Sequence, residues 1–318
     1  MPRNVLVIGG TLFIGRELVR RLLARGDRVT ILHRGRSPLP PGVDAIVCDR
    51  NDTAAVRRAL TGRSFDVVYD NVYDWDRGTT AGQVLVAAES LGAGLGRYIF
   101  LSSVAAYPEG LDHSEDDPLA VDSAIPYAQN KARSEAALLA SGLPVVTLRP
   151  PYVYGPENPF YREAFFWDRL TRRRPILIPE DGSRLMQFVY VRDLVWAMLR
   201  VADTDLPAGR AYNVADPAPV SQLEAVRAFA RAAGCEAQIV FVPRARLEAA
   251  GGGVFEPPFY FGQYYDRPPI TLRLDRTRRE LGFEPTPFDA GLLQTYQWYL
   301  KQNRSDPDFS WEDRYNGT

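Results

Sequence analysis

The 318-residue chain is poor in the residue types that build disulfide frameworks and metal centres. It has two cysteines, Cys48 and Cys235, and two histidines, His33 and His113. Two cysteines are too few for a disulfide framework and suit a reducing compartment, so we expect a cytoplasmic protein. Two histidines exclude a histidine-rich zinc site, and we expect no metal.

Long apolar runs and an excess of charge of one sign are also missing. No apolar run approaches the roughly 20 residues that a membrane-spanning helix needs, so we expect no membrane partner. Residues 1–9 already lead into the first predicted strand, which predicts that no signal peptide precedes the fold. The net charge of −1 provides no electrostatic basis for binding nucleic acid, and we expect no nucleic-acid partner.

The chain does have a glycine turn directly after an apolar strand at its N-terminus. The run Val5–Ile8 leads into GGTLFIG at residues 9–15, apolar residues at helical spacing follow, and a second apolar run covers 28–33. This order predicts a βαβ unit whose glycines let a pyrophosphate approach the helix N-terminus. Leu12 stands where the usual fingerprint has its middle glycine, which leaves an ordinary turn without a ligand as the alternative.

Strands and helices alternate through the first half of the chain. Strands are predicted at 44–49, 65–71, 97–103 and 145–149, and helices at 53–60, 79–91 and 126–140. This alternation predicts an α/β protein with a doubly wound parallel sheet. We expect a Rossmann fold over residues 1–155, to which 187–216 returns, and a smaller C-terminal substrate lobe over 156–318.

Several local features of the chain have a specific expected role. Asp52 or Thr53, Asp193, and Ser221 with Glu224 are expected to cap helices. The aromatic-rich segment 251–270 is expected to form a packed flap, and the polar tail 303–318 is expected to be loosely held.

Tyr127 and Lys131 lie four residues apart on a predicted helix, so both side chains occupy one face. Ser103 ends the preceding predicted strand, at the sheet edge where open α/β folds bind ligands. A neighbouring ammonium is expected to lower the pKa of the Tyr127 phenol, which would then exchange a proton with a substrate. Ser103 would orient a carbonyl at the same place, and Lys131 would bond a ribose. The alternative is a surface tyrosine–lysine pair without chemistry.

The motifs GGTLFIG, FLSSVAAY, YAQNK, RPPYVYGP, FVYVRDL and LGFEPTPFDAGLLQTYQWY occur in this order along nearly the whole chain. In this set the sequence resembles the extended short-chain dehydrogenase/reductase family, also called the NAD-dependent epimerase/dehydratase family. The resemblance implies a nicotinamide cofactor in the N-terminal lobe and a substrate, usually a nucleotide-sugar, in the C-terminal lobe. It also implies that helices 79–91 and 126–140 pair in a homodimer.

The resemblance assigns roles by position. It makes Ser103, Tyr127 and Lys131 the catalytic residues. The cofactor-binding residues that it implies are Gly9, Thr11, Leu12, Phe13, Ile14, Gly15, Asp49, Arg50, Asn71, Val72, Pro150 and Val153, together with Tyr127 and Lys131.

Two departures from the family pattern matter. The turn with Leu12 is similar to that of a divergent branch that includes the chloroplast stem-loop-binding proteins. A non-catalytic cofactor-binding protein or an RNA-binding sensor on the same fold is therefore the alternative function. The second strand ends in His33-Arg34-Gly35-Arg36 instead of an acidic residue. Because Arg34 suits a 2′-phosphate, we expect NADP, with NAD as the alternative if these arginines are only solvated loop charges.

The sequence also indicates which of the family's reactions the protein is expected to catalyse. Its dehydratases carry an Asp-Glu pair where this chain has Val104-Ala105, which disfavours a 4,6-dehydratase. An epimerase or a ketoreductase remains, and the Arg34 interpretation favours the reductase. For the substrate we expect contacts from Ser103, Tyr152 and Arg184. Arg184 would clamp a diphosphate bidentately or, alternatively, pair with Asp181 or Glu180 at the surface.

Overall fold

The fold is given by a computed structural model that describes residues 1–316. The strands along these residues are β1 Asn4–Ile8, β2 Arg28–His33, β3 Val43–Val47, β4 Phe65–Asp70, β5 Leu95–Leu101, β6 Gly110–His113, β7 Val145–Arg149, β8 Tyr152–Tyr154, β9 Ile176–Pro179, β10 Leu185–Met186, β11 Phe188–Tyr190, β12 Arg210–Asn213, β13 Val220–Ser221, β14 Ile239–Val242 and β15 Ile270–Leu272. The helices are α1 Phe13–Ala24, α2 Thr53–Leu60, α3 Ala81–Glu89, α4 Pro126–Ala140, α5 Glu163–Leu170, α6 Val191–Asp203, α7 Gln222–Ala233, α8 Arg244–Ala249, α9 Asp275–Leu281, α10 Phe288–Tyr299 and α11 Ser310–Asn316.

Seven parallel strands form the central sheet in the order β12-β7-β5-β4-β1-β2-β3. The β1 residues Val5–Ile8 are buried alternately in two apolar cores, one on each face of the sheet. Helices α1 and α6 pack together, and α2, α3 and α4 form a neighbouring set. The unbroken apolar run of β1 is explained by this position, because a central parallel strand is covered on both faces. The predicted Rossmann-type α/β fold is confirmed.

Two strands end earlier than their apolar runs predict, and this moves important residues into loops. β3 ends at Val47 instead of residue 49, and β5 ends at Leu101 instead of Ser103. Asp49 and Ser103 therefore lie in the loops just beyond the carboxyl ends of these strands. In an open α/β sheet, that edge is the place where ligands bind.

The predicted caps are confirmed at two helices and wrong at a third. Asp52 accepts from the N–H of Ala55 at the start of α2, and Ser221 forms the predicted capping box of α7 with Glu224. Asp193 does not cap a helix, because α6 begins two residues earlier at Val191. Its carboxylate instead accepts from the N–H and Oγ1 of Thr286, at 2.7 and 2.9 Å. Asp193 thus ties α6 to the segment before α10.

The segment 251–270 is packed as expected. Tyr260, Phe261 and Tyr265 are almost fully buried, and Phe255 remains about half exposed. The segment leads into β15, an unpredicted strand that pairs in parallel with β6. Among the described residues, no helix is long and apolar enough to cross a membrane.

The expectation of a loosely held tail is wrong for the described part of 303–318. Residues 310–316 form α11, and both Trp311 and Glu312 are buried. Glu312 forms an ion pair with the buried guanidinium of Arg169 on α5. The buried Trp311 and the Arg169–Glu312 ion pair therefore hold this segment against the protein, although its overall composition is polar. Residues 317–318 of this expectation lie outside the described residues.

Candidate active site

The glycine turn between β1 and α1 is packed tightly against its own backbone and against the loop after β4. Gly9 has a φ of +90°, and a Cβ there would lie 2.5 Å from Cγ2 of Val72. A Cβ on Gly15 would overlap the carbonyl oxygen of Gly9, which also accepts from Nδ2 of Asn71 at 3.1 Å. Both glycines are therefore required by close approach of neighbouring atoms.

Leu12 does not close this turn. It is the extended N-cap residue of α1, its side chain is 59% exposed, and no side chain caps the helix. The first N–H groups of α1 thus remain available to an anion. Thr11 precedes Leu12, and Phe13 and Ile14 are the first two residues of the helix. Phe13 has an uncommon φ of +39°.

The turn fits a dinucleotide in one further respect. The side-chain oxygen of Asn71 is buried and has no hydrogen-bond partner among the described residues. Buried polar atoms are rarely left unpaired, so this oxygen marks a place where a ligand donor is expected. Asn71, Val72 and the 9–15 turn thus lie together, as the resemblance implies.

Arg34 lies in a charged cluster beyond the carboxyl ends of β2 and β3. It is paired at 3.3 Å with the buried carboxylate of Asp74. Arg77 pairs with the same carboxylate and with Asp49. Arg50 is buried, forms an ion pair with Asp70 and donates to the carbonyl of Gln83. The guanidinium of Arg50 is therefore occupied by contacts within the protein. Its main chain remains for the adenine contact that the resemblance assigns.

Ser103 and Tyr127 come together at the carboxyl end of β5. Ser103 follows this strand and its Oγ accepts from the N–H of Ala105 at 3.2 Å. Its side chain is also close enough to Tyr127 to lower the pKa of that phenol. Tyr127 lies in the first turn of α4, directly after Pro126 at a position that tolerates proline. Lys131 lies one turn further on, where its Nζ donates to the carbonyl of Leu101 at 2.6 Å. The loop after β5 and the helix α4 thus supply all three residues that the sequence singles out.

The electrostatics of this group differ from the prediction. Burial raises the pKa of Tyr127, while the neighbouring Ser103 side chain and the charge of Arg162 act in the opposite direction. The predicted lowering by Lys131 is wrong in this structure, because the ammonium is directed at the Leu101 carbonyl. Burial also lowers the pKa of Lys131 to about 8.

The buried Lys131 leads to a pH-dependent stability. Its pKa is 10.5 in the unfolded chain and about 8 in the folded one, so between these values only the unfolded state binds the proton. The contribution of Lys131 to the free energy of unfolding should therefore increase as pH rises through this window. We expect the free energy of unfolding of Lys131→Met minus that of the parent to fall by about 3 kcal/mol from pH 8 to 10.5, because only the parent gains stability over this range.

Denaturant unfolding at a series of pH values measures this difference. Lys301→Met is the matched control, because Lys301 is exposed and is the only other lysine. A stability difference for Lys131→Met that stays constant over the window would contradict the expectation.

The predicted substrate residues are distributed differently from the expectation. The Tyr152 hydroxyl donates to the carbonyl of Tyr264 at 2.7 Å. Pro150 accepts from the N–H of Val104, and Val153 is buried in β8. Arg184 pairs with neither Asp181 nor Glu180. It donates at 2.8 Å to the fully buried carboxylate of Asp266.

Sequence reasoning missed three residues beside Tyr127. The ring of Trp75 is stacked on that of Tyr127 with centroids 4.8 Å apart, and Tyr73 meets the same ring edge-on at 4.8 Å. Arg162 is close enough to influence the Tyr127 pKa. Tyr73 and Trp75 follow the carboxyl end of β4, and that position was the available signal. Nothing in the sequence around Arg162 distinguishes it from the other 35 arginines.

The parallel sheet and the glycine turn define a Rossmann-like α/β protein. Residues 5–215 match the NAD dependent epimerase/dehydratase family, and the chain belongs to that family. It is 30% identical to the chloroplast stem-loop binding protein of 41 kDa b from Arabidopsis thaliana, over 98% of this chain and 83% of that protein.

Two further similarities span most of the chain. It is 27% identical to a 2-alkyl-3-oxoalkanoate reductase from Stenotrophomonas maltophilia, over 89% of this chain and 94% of that protein. Among solved structures, an epimerase from Methanothermobacter thermautotrophicus superposes with a TM-score of 0.76 at 22% identity, covering 94% and 93% of the two chains. The structural similarity supports the fold.

Proposed function

We propose that the protein is an NAD(P)-dependent oxidoreductase or epimerase that acts at a secondary alcohol or ketone. The observation that carries the proposal is the placement of Ser103 beside Tyr127, with Lys131 one helical turn away. This group lies at the carboxyl edge of the sheet, as does the glycine turn. Membership of an NAD-dependent family supports the cofactor class.

Each of the three residues has a distinct task. Tyr127 donates a proton to the carbonyl oxygen during reduction and takes it back during oxidation. Ser103 orients that oxygen and stabilises its developing charge. Lys131 holds a ribose and keeps a positive charge near the site. A bound nicotinamide supplies the hydride equivalent, so that a ketone with one added proton becomes a secondary alcohol.

The cofactor would be held by the residues that surround the glycine turn. The 9–15 backbone and the N-terminus of α1 suit the pyrophosphate, while Asn71 and Val72 border the same turn. Asp49 suits the adenine side, and Pro150 and Val153 suit the nicotinamide side.

We propose NADP as the preferred cofactor because Arg34 lies directly after β2 at an exposed position. Its ion pair with Asp74 is long, at 3.3 Å, and a 2′-phosphate offers a more highly charged partner. The Arg34→Glu variant is expected to bind NADP at least about tenfold more weakly, since charge-assisted hydrogen bonds contribute about 1.5–3 kcal/mol. NAD affinity should change little.

Fluorescence titration with both nucleotides measures the two affinities. Arg28→Glu makes the same charge change at the exposed start of the same strand, and it should leave both affinities unaltered. Equal losses of NADP affinity in the two variants would contradict the assigned role of Arg34.

Between the two reaction types we favour the reductase. An epimerase must return the hydride to the other face and benefits from a retained cofactor, whereas a reductase exchanges NADP. The similarity to a named ketone reductase agrees with this choice. The nucleotide-sugar expectation comes from the family resemblance. Arg184, one candidate contact for its diphosphate, is paired with Asp266.

The test of the proposed function has two parts. The nucleotide released from the purified protein on denaturation is identified, and oxidation of NADPH and NADH is followed with a panel of ketones. Ketone-dependent oxidation of NADPH supports the proposal. Tightly retained NAD would favour an epimerase, and the absence of both binding and turnover would contradict the proposal.

RNA binding is the second candidate function, and the similarity to the chloroplast stem-loop binding protein favours it. The near-zero net charge provides little electrostatic support. A gel shift with a stem-loop RNA over a range of salt concentrations separates the candidates. Binding that survives moderate ionic strength would favour the RNA-binding function.

The quaternary state and the location of the protein remain predictions. Helices α3 and α4 pack against each other, and we propose that they form the dimer surface implied by the resemblance. Light scattering of the purified protein tests the homodimer, and fractionation of the producing cell tests the cytoplasmic location.

A further inference from the structure

An aromatic surface surrounds Tyr127 and is assembled from three separate loops. Tyr73 and Trp75 come from the loop after β4, Phe160 from the loop before α5, and Tyr264 from the segment before β15. Trp75 is the centre of this aromatic surface. Besides its contact with Tyr127, it meets Phe160 edge-on at 5.5 Å and lies nearly parallel to Tyr264 at 6.1 Å.

Trp75 is 52% exposed although it lies over a partly buried tyrosine. Large aromatic rings that stay exposed beside a reactive group are typical of ligand contacts. A planar ring inserted between two others needs a separation of about 7 Å, which is two layers of atoms in contact. The rings of Trp75 and Tyr264 are nearly parallel, with centroids 6.1 Å apart and an angle of 20° between their planes, so they must move apart to admit such a ring.

Arg162 supplies the charge at this surface. Its guanidinium lies 4.4 Å from the ring of Phe160 and 5.6 Å from that of Tyr264. Its recorded hydrogen bond runs from Nε to the carbonyl of Gln263 at 3.3 Å. Glu163 is next in the chain, but its carboxylate accepts from Asn158 and from the Tyr265 hydroxyl.

Arg162 is exceptional among the buried arginines of residues 1–316. Arg50, Arg149 and Arg169 each form an ion pair with a buried carboxylate. Arg162 is also buried, at 8% exposure, but it forms no ion pair with a carboxylate of the described residues. Its charge acts on the nearby buried carboxylate of Glu163 without a direct bond to it. A buried charge without an ion-pair partner is costly, so a ligand anion is the expected compensation.

The two arginines that could bind a diphosphate, unlike Arg162, already have an ion-pair partner. Arg184 and Arg244 both donate to the carboxylate of Asp266, at 2.8 and 2.6 Å. The same carboxylate also accepts from Tyr260 and Gln222. An internal anion thus satisfies this pair, and a substrate diphosphate would have to break the three hydrogen bonds that the two arginines donate to it.

We propose that the substrate is a ketone or alcohol attached to a planar aromatic or conjugated group that bears one carboxylate. The planar group lies between Trp75 and Tyr264, the carboxylate pairs with Arg162, and the reacting carbon faces Tyr127. This inference rests on the proposed function, which it narrows to a substrate class. The redox chemistry is the one stated above, in which the ketone gains a hydride from the reduced nicotinamide and a proton from Tyr127.

The binding experiment compares benzoylacetate with two probes that each lack one of its features and with UDP-glucose as a representative nucleotide-sugar. Benzoylacetate has the ring, the ketone and the charge, while its methyl ester lacks the charge, acetoacetate lacks the ring, and UDP-glucose carries a diphosphate. Calorimetric titration is performed on the protein with oxidised NADP, so that no reduction occurs. We expect benzoylacetate to bind at least about tenfold more tightly than the other three.

Two variants and one control assign this preference to residues. Trp75→Ala should weaken benzoylacetate binding about tenfold, whereas Trp196→Ala, which removes an exposed tryptophan from α6, should not. Arg162→Met should reduce the affinity for the acid to that for the ester. Because Arg162 is buried, the acid–ester comparison on the parent protein provides the same test without a variant.

The outcomes separate this inference from the function on which it rests. Equal affinity for acid and ester, or tightest binding of UDP-glucose, would overturn the substrate class. Reduction of acid and ester with equal kcat/KM would also overturn it while leaving the proposed function intact. Tight benzoylacetate binding without NADPH-dependent reduction of any ketone would support the binding site and contradict the proposed function.

Discussion

The Tyr127→Phe variant is expected to lose turnover by about 10²–10⁴-fold while it binds the cofactor normally. The substitution removes the hydroxyl that exchanges the proton and keeps the ring that contacts Trp75 and Tyr73. Because Lys131 and the glycine turn are unchanged, the sites that hold the cofactor remain. Steady-state kinetics with a ketone substrate and titration with NADP measure the two quantities.

A second tyrosine provides the control for this experiment. Tyr296→Phe makes the same chemical change on α10, where Tyr296 packs against Trp167 and Tyr299. It should leave kcat unaltered. If Tyr127→Phe keeps the activity of the parent protein, the proposed mechanism is wrong.

The Gly15→Ala variant is expected to lose both stability and cofactor binding. The new Cβ would overlap the carbonyl oxygen of Gly9 and lie 2.8 Å from Nδ2 of Asn71. A backbone oxygen cannot move aside as a flexible side chain can, so the turn must open. We expect a cost of at least about 3 kcal/mol in the free energy of unfolding, with NADP binding lost at any temperature where the variant still folds.

Gly82→Ala is the matched control, since Gly82 lies in α3 with no atom within 4 Å of an added Cβ. Alanine is the better helix former there, and the variant should gain up to about 1 kcal/mol. Thermal unfolding of both variants, with and without NADP, measures the difference. If the Gly15→Ala variant had the stability and NADP affinity of the parent protein, the inference that this turn requires glycine at position 15 would be wrong.

The elements of the first half were predictable because each is determined by its own residues. The apolar run of β1, the glycines that follow it and the caps at Asp52 and Ser221 are local signals. The positions of Tyr127 and Lys131 on one helix face also follow from spacing alone. Asp193 shows the limit of such reasoning, because a polar residue near a helix start has more than one partner available.

The sequence by itself determined the fold class, the family and the positions of Ser103, Tyr127 and Lys131, since short-range periodicity and motif order are local properties of the chain. Only the tertiary structure decided which charges are compensated. Arg184 is paired with Asp266, 82 residues away, and Arg162 is buried among aromatic rings and forms no ion pair with a carboxylate of residues 1–316. Burial and pairing depend on contacts between distant segments. These contacts distinguish an arginine that is ion-paired within the protein from one for which we propose a ligand anion.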